Sequence, residues 1–162
     1  WTTWANNEAK EAAMSEFQEN LSGLAEFITE PPTILEGPMV AGQQYVMVPK
    51  DGEDEFFARF VLGGGTQDGK TYDDVTDFMR NTVYPAYENV EGIFGSAACK
   101  MSEDEGFSFN FWTSHDAAHA AADVISSVVE EAVAGLIKEA PKELTGQCSV
   151  WKNYVVFPVG KM

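Results

Sequence analysis

Residues 92–125 read GIFGSAACKMSEDEGFSFNFWTSHDAAHAAADVI, and this stretch decides the fold. Residues 93–101 are small and apolar, which predicts a strand, and the polar residues 102–106 predict a hairpin loop. Residues 107–113 then return as a second strand, because apolar and polar side chains alternate along them. The stretch therefore predicts an antiparallel hairpin that is followed directly by a helix.

The second strand of this hairpin has aromatic side chains on both faces. Successive residues of a strand point to opposite sides of a sheet, so Phe107, Phe109 and Phe111 share one face, and Asn110 and Trp112 share the other. Each buried phenylalanine contributes roughly 1.5–3 kcal/mol, so a soluble protein covers such a set. We therefore expect helices on one side of this strand and a second sheet on the other.

Upstream of the hairpin the sequence predicts one strand and one helix. Residues 55–62 alternate as a strand, and residues 63–70 form a glycine-rich loop. Thr71 is a suitable N-cap for the helix that follows, and Pro85 kinks or ends that helix.

Downstream of the hairpin a second helix and a last strand are predicted. Ser114 caps a long helix that reaches about Glu139, and Pro141 and Gly146 follow it. Residues 148–157 form the last strand. The resulting order, β-α-β-β-α-β, predicts an α+β fold of the ferredoxin-like type, with one antiparallel sheet and both helices on one face.

The start of the chain resembles its end. Trp4 and the following helix over residues 5–29 parallel Trp112 and its helix. In both copies the helix contains Gly-Leu and is followed by a proline, by Leu-x-Gly and by a strand, which is residues 39–48 in the first copy. We predict that residues 1–48 are the back half of a first unit, that residues 49–54 are a linker, and that residues 55–162 are a complete unit. The alternative is two unrelated helix-strand segments that share common turn residues.

The chain has 26 acidic and 10 basic residues, which give a net charge of −16 and argue against a nucleic-acid partner. No basic stripe could displace counterions from nucleic acid, so no nucleic-acid partner is expected. No apolar run is long enough to span a membrane, and we expect a soluble protein. The two cysteines, Cys99 and Cys148, do not make a disulfide framework and are interpreted as small buried residues.

The quoted stretch resembles the dimeric α/β-barrel family, which includes antibiotic-biosynthesis monooxygenases and stress-responsive A/B barrels. The matching positions are a glycine pair, an aromatic strand that ends in Trp, a polar cap and an Ala-rich helix: Gly92, Gly95, Trp112, Ser114, Asp116 and Ala117. The resemblance implies that two sheets pack face to face into a barrel, between subunits or between tandem units. Its members include cofactor-independent oxygenases, haem-binding enzymes and proteins with no known activity.

Few residues are candidates for chemistry. The resemblance implies that a His, Asn, Trp or Tyr orients a phenolic substrate, which makes Asn110, Trp112 and His115 candidates and Tyr72, Tyr84, Tyr87 and Trp151 further ones. No acid–base pair is recognisable among them, so structural roles are the alternative. His115 and His119 have the spacing of two metal ligands on a helix, but no third ligand is near, and no metal or other cofactor is predicted. Haem ligation by either histidine is implied only by the resemblance.

The pattern from Gly64 through Thr71 fits the phosphate-binding motif G-x-x-x-x-G-K-[ST] between a strand and a helix. Asp68, Asp73 and Asp74 would place like charge against a phosphate. The β-hairpin downstream also does not fit a parallel nucleotide-binding sheet. We therefore predict no nucleotide at this pattern and interpret it as a turn before a capped helix.

Two functions remain open. The first is a non-catalytic or small-ligand-binding α/β-barrel module, as a peripheral subunit of a larger organellar or photosynthetic assembly with a protein partner. The second, supported by the resemblance alone, is a cofactor-independent monooxygenase or a related small-molecule enzyme. The absence of a recognisable catalytic pair favours the first.

Overall fold

A computed structural model describes residues 4, 6–21, 30, 33–46, 56–148 and 160–161. The chain divides into two compact units, Trp1–Leu35 and Glu36–Met162. Within the described residues, none of the helices combines the length and apolar character that crossing a membrane requires.

The first unit contains helix α1, Asn7–Leu21. The side chain of Asn6 caps it, because its Oδ1 atom accepts a hydrogen bond of 2.8 Å from the backbone N–H of Ala9. This confirms the start of the helix that was predicted over residues 5–29. Residues 22–29 of the predicted helix lie outside the described residues.

The second unit is an antiparallel sheet with helices. Its elements are β1 (Met39–Gln44), β2 (Phe56–Thr66), α2 (Tyr72–Phe78), α3 (Tyr84–Tyr87), β3 (Ile93–Lys100), β4 (Gly106–Trp112), α4 (His115–Leu136), β5 (Ile137–Cys148) and β6 (Gly160–Lys161). The strand order is β5-β2-β4-β3-β1-β6, and the neighbouring strands are antiparallel. Elements β2 to β5 have the predicted β-α-β-β-α-β order, so the α+β ferredoxin-like fold is confirmed, with β1 added beside β3.

Strand β4 separates two apolar clusters. On one face, which we call the phenylalanine face, Phe107 and Phe109 are buried with Ala97 and Cys99, and Phe111 is partly buried against them. The predicted common face of the three phenylalanines is thereby confirmed. A second sheet on this face stays a prediction.

The other cluster lies between the sheet and the helices. It contains Trp112, which is fully buried, together with Ile93, Tyr87 and the α4 residues Ala121 and Ile125. Ser114 caps α4 as predicted, because its hydroxyl accepts a hydrogen bond of 3.1 Å from the N–H of Ala117. The helices therefore cover the face that carries Asn110 and Trp112.

The helix after Thr71 changes its pitch. Residues Met79–Val83 form a π-helical turn, and α3 continues from it through Pro85. A proline in a regular α-helix would clash with the carbonyl of Asn81, four residues earlier, and a wider turn relieves that clash. Pro85 was predicted to kink or end the helix, and it is accommodated by this local widening.

Two predicted boundaries were wrong. The predicted last strand over 148–157 begins at Ile137 instead, and α4 ends at Leu136 without an intervening loop. The register of β5 against β2 shifts between the pairs Leu62↔Lys142 and Gly64↔Glu139, so Pro141 lies in a β-bulge of an edge strand. Proline is tolerated at such a site because no ladder hydrogen bond is lost. Residues 149–157 lie outside the described part of the chain.

The second boundary concerns the glycine-rich stretch at 63–70, which is strand up to Thr66. Gly64 is needed there, because a Cβ atom at this position would lie 2.2 Å from the backbone oxygen of Glu139 on β5. The glycines therefore permit close approach of two strands, which the predicted loop did not anticipate.

The domain predictions are not tested by these observations. The linker at 49–54 lies outside the described residues, and the predicted strand at 39–48 is described as β1 up to Gln44. Strand β1 pairs with β3, and both strands belong to the compact unit Glu36–Met162. The internal repeat stays a prediction, because residues 149–157 of its second copy are also not described.

Both cysteines have free thiols, and Cys99 is buried as predicted, whereas Cys148 is half-buried. Cys99 is buried on the phenylalanine face, and burial raises its pKa to about 11. Its thiol therefore stays protonated at neutral pH and is a poor nucleophile.

We expect Phe109→Ala to lower the free energy of unfolding by roughly 3–5 kcal/mol, because the ring is buried and its removal leaves a cavity. Urea unfolding followed by circular dichroism measures the loss. The control is Val124→Ala on the exposed side of α4, where a change within about 0.5 kcal/mol is expected. A loss at Phe109 no larger than that of the control would contradict the burial of this ring.

Candidate functional site

A row of polar side chains crosses the helix-facing side of the sheet. Gln43 pairs with Ser96, Ser96 with Asn110, and Asn110 with Arg59. Each of these residues lies two positions from an apolar member of the sheet–helix cluster on its own strand, so the four point toward the helices. We call these four residues the polar row. With strands about 4.8 Å apart, its Cα atoms span about 14 Å.

The polar row is buried but incompletely hydrogen-bonded. Gln43, Ser96 and Asn110 are 8%, 2% and 5% exposed. Gln43 Oε1, Asn110 Oδ1 and Arg59 Nε are buried atoms without a hydrogen-bond partner in the described structure, whereas the Ser96 hydroxyl lies within hydrogen-bonding reach of the Tyr84 hydroxyl. Buried polar atoms in native proteins are almost always satisfied, so three unpaired ones in one row make this layer a candidate site for a further polar molecule.

One more unpaired group lies in the same layer. The Trp112 indole N–H, two residues from Asn110, is also buried without a partner, while the Tyr84 hydroxyl, from α3, is buried beside the Ser96 hydroxyl. The Tyr87 ring packs edge-on against Trp112, with ring centroids 5.4 Å apart, and against Tyr45 at 6.3 Å. Four unpaired polar atoms and these aromatic rings thus lie on the helix-facing side of the sheet.

Burial raises the pKa of Tyr84 well above its ordinary value, although the Ser96 hydroxyl and Arg80 both act to lower it. Burial likewise raises the pKa of Tyr87, against the effect of the nearby Arg59 guanidinium. Both phenols therefore stay protonated at neutral pH. They can donate or accept hydrogen bonds, but they cannot serve as general bases.

Arg59 brings a charged group to one end of the polar row. Its Nη2 atom pairs with the carboxylate of Glu143 on β5, so the charge of Arg59 is balanced at the exposed edge of the sheet. The Nε–H edge of the same guanidinium faces the buried layer without a partner. Arg59 therefore offers a donor to the layer without leaving a free charge there.

The other end of the polar row depends on strand β1. A β-bulge at Val40 shifts the register between Met39 and Ala41, and Arg80 of the π-helical turn donates a hydrogen bond to the Val40 carbonyl. A one-residue shift exchanges the two faces of a strand. The bulge therefore turns Gln43, rather than Gln44, toward the helices.

Of the predicted site residues, Asn110 and Trp112 lie in this layer and His115 does not. The His115 side chain is 66% exposed at the start of α4, where it pairs with Asp116 and its ring packs against Phe57. His119 is also exposed, with its ring centroid 5.5 Å from that of His115. Neither ring enters the buried layer, so the two do not fit haem ligation there.

Within the described residues, no group of three or more His, Cys, Asp or Glu side chains has metal-binding geometry. Among the further tyrosines, Tyr72 donates to the Phe107 carbonyl at 3.2 Å and is not at the polar row, whereas Tyr84 and Tyr87 are. Trp151 lies outside the described residues.

Sequence reasoning missed Gln43, Arg59 and Ser96. Arg59 carried a signal, since it is the one charged residue in the apolar run 56–62 and faces away from Phe60. Ser96 is a small residue in a small-residue strand and gave no signal. Gln43 could be found only from the pairing of β1 with β3 and from its bulge.

The end of the pattern from Gly64 through Thr71 is engaged by an acidic side chain of the protein itself. The Asp74 carboxylate accepts a hydrogen bond of 2.8 Å from the Thr71 N–H and lies near the Lys70 ammonium. These hydrogen bonds from Thr71 lower the pKa of Asp74. An acidic side chain thus occupies the helix start where a phosphate would bind, so we propose no nucleotide site there.

Comparison with known proteins gives similarity at the level of fold. No protein-family model matches the sequence, and no curated protein does. The structure is similar to a crystal structure described as a "putative monooxygenase" from Fusobacterium nucleatum, with a TM-score of 0.63 and 10% identity over 86% of this chain and 64% of that one. It is also similar to a protein of unknown function from Nitrosomonas europaea, with a TM-score of 0.55 and 16% identity over 64% of this chain and 99% of that one.

The raised tyrosine pKa values predict a loss of stability at alkaline pH. Above about pH 10 the unfolded chain releases tyrosine protons that the folded chain retains, so the free energy of unfolding falls by about 1.4 kcal/mol per pH unit for each buried tyrosine. Between pH 10 and 12 we expect Tyr84→Phe to reduce this dependence of the free energy of unfolding on pH by about 1.4 kcal/mol per pH unit, the contribution of one buried tyrosine. Urea unfolding at a series of pH values measures it. Equal slopes in both proteins would contradict the burial of the Tyr84 hydroxyl.

Proposed function

We propose that this chain is a small-ligand-binding α/β module whose ligand lies between the sheet and α3, over the polar row. The observation that carries the proposal is that four buried polar atoms without a partner, Gln43 Oε1, Arg59 Nε, Asn110 Oδ1 and Trp112 Nε1, lie in one layer. Apolar pockets with a few convergent polar groups are the usual form of small-molecule sites.

The energetic cost of the unpaired atoms favours a ligand-binding role over a purely structural one. Each buried unsatisfied group costs about 1–3 kcal/mol, so four cost roughly 4–12 kcal/mol. A whole domain is stable by only about 5–15 kcal/mol. A bound molecule that satisfies these groups offsets the cost, and ordered water is the alternative that a binding experiment must separate.

The chemistry of the layer favours an uncharged ligand. Glu143 balances Arg59, no carboxylate belongs to the polar row, and the net charge of −16 disfavours an anion. The aromatic side chains Tyr87 and Trp112 favour a ring system. The preferred ligand is therefore a small neutral aromatic molecule that bears hydroxyl and carbonyl groups.

A cofactor-independent monooxygenase is the second candidate. Asn110 and Trp112, which the family resemblance makes candidates for orienting a phenolic substrate, both line the layer. The similarity to the Fusobacterium protein concerns the fold alone. No residue of the polar row is a base at neutral pH, which favours binding over catalysis. Oxygen uptake by the protein with a bound hydroxyaryl ketone, without added cofactor, would favour the enzyme.

A protein partner on the phenylalanine face is also part of the proposal. Leu144 of β5 pairs with Phe60 on this face and is 49% exposed, which leaves apolar surface for a second sheet. The sheet would come from another copy or from a tandem unit, as the resemblance implies. Membership in a larger organellar or photosynthetic assembly is a further proposal that rests on acidity and the partner surface.

The test of binding uses Ser96→Val, which removes a hydroxyl from the centre of the polar row and adds apolar volume. With hydroxytetralone, a neutral two-ring hydroxyketone, as probe, we expect wild-type protein to gain thermal stability in a saturable way, by about 2.7 kcal/mol at one hundred times Kd. Ser96→Val should lose most of this gain.

The matched control is Ser108→Val. Ser108 lies on β4, on the same face of the sheet as Ser96, and it is paired with Ala98 two residues along β3. It should retain the ligand-induced gain. No stabilisation of the wild-type protein, or equal stabilisation of the two variants, would contradict a site over the polar row.

A further inference from the structure

We propose that Gln43, from the strand β1 outside the β2–β5 unit, determines ligand specificity and gives the site a direction. The ligand places a hydrogen-bond donor over Gln43 and a carbonyl oxygen over Arg59 and Trp112. This inference rests on the proposed function and names the ligand class of the same site: an elongated neutral molecule with a hydroxyl at one end and a carbonyl at the other.

The carbonyl end follows from two groups that can only donate. Arg59 Nε–H and Trp112 Nε1–H are both buried and unpaired, and neither atom can accept a hydrogen bond. The pairs Phe57↔Trp112 and Arg59↔Asn110 make Arg59 and Trp112 diagonal neighbours on one sheet face, about 7–8 Å apart. Two converging donors fit one acceptor oxygen, as in a ketone or amide.

The hydroxyl end follows from Gln43. Its Oε1 atom is a buried, unpaired acceptor on the strand farthest from Arg59 in the polar row. Three strand spacings, about 14 Å between Cα atoms, separate the two residues. The side chains of Gln43 and Arg59 are long and take up part of this separation. A two-ring skeleton is suited to the distance that remains between their polar ends.

The centre of the polar row is compatible with this direction. The Ser96 and Tyr84 hydroxyls can either donate or accept, and they can pair with each other. Asn110, directly opposite Arg59, has an unpaired acceptor Oδ1 as well as amide N–H donors, so the middle of the ligand can carry either kind of polar group. The bulge at Val40 and its hydrogen bond to Arg80 fix which side chain of β1 enters the layer. Gln44, one residue further, faces the other side and donates to the Val46 carbonyl.

The experiment compares three probes by isothermal titration calorimetry on the full chain. Hydroxytetralone has both ends, methoxytetralone lacks the donor, and hydroxytetralin lacks the carbonyl. We expect wild-type protein to bind hydroxytetralone about five- to tenfold more tightly than either of the other probes, since one hydrogen bond is lost in each case.

Two pairs of variants assign the ends. Gln43→Leu should bring the hydroxy-to-methoxy affinity ratio close to one, whereas the matched control Gln44→Leu should keep the wild-type ratio. Arg59→Met should remove the preference for the carbonyl, whereas Glu143→Gln, which breaks the ion pair but leaves Nε–H, should keep it. Ratios are used because they do not depend on how each variant changes stability.

The outcomes separate this inference from the function on which it rests. If the wild-type protein binds the probes and Ser96→Val abolishes binding, but Gln43→Leu keeps the wild-type ratio or the methoxy probe binds better, the direction is wrong and the site stands. If the wild-type protein binds none of the three probes saturably, both the proposed function and this inference are wrong.

Discussion

The antiparallel pairing of strand β4 with β2 on one side and β3 on the other is the constraint on which the rest of the structure depends. Because β4 is central, its alternation decides what both faces of the sheet are made of. Phe109 and its two neighbouring phenylalanines form one apolar face, and Trp112 anchors the other against the helices. A slip of one residue would exchange the two sets, so the register carries a large part of the fold's specificity.

The same register produces the polar row. Asn110 lies between Phe109, which is buried, and Phe111, which is partly buried. Its strand partners Arg59 and Ser96 are directly opposite it. Polar side chains that meet in this way, under a tyrosine and beside a tryptophan, add little stability to a core. Their convergence is the basis of the binding function that we propose.

The sequence predicted well the features that local patterns determine. The phenylalanine alternation and the Ser114 cap each depend on a few adjacent residues, and both appear in the structure. Strand β5 was missed because Pro141 is a sequence signal for a break, and only a bulge at a sheet edge makes it compatible with a strand. The residues around Pro141 do not reveal that their strand lies at the edge of the sheet.

Of the residues in the candidate site, the sequence pointed to Asn110 and Trp112 of β4 and to Tyr84 and Tyr87 of α3, but not to Gln43, Arg59 or Ser96. Gln43 reaches the site through pairing between strands about fifty residues apart in sequence and through a bulge whose carbonyl Arg80 satisfies. His115 lies exposed at the start of α4 and outside this layer, and the sequence alone does not determine which way the start of that helix faces. Residues that meet through register and packing are invisible to spacing rules.

The proline bulge in β5 also affects how this protein behaves at high concentration. A twelve-residue strand at the edge of a sheet could recruit the edge of another molecule and begin a fibre. Pro141 offers no N–H, and the bulge twists the backbone around it, so an incoming strand would lose its hydrogen bonds in the middle of the edge. The charged residues Lys138, Glu139, Lys142 and Glu143 flank this break. The feature that hid β5 from sequence analysis therefore also protects the folded chain from edge-to-edge aggregation.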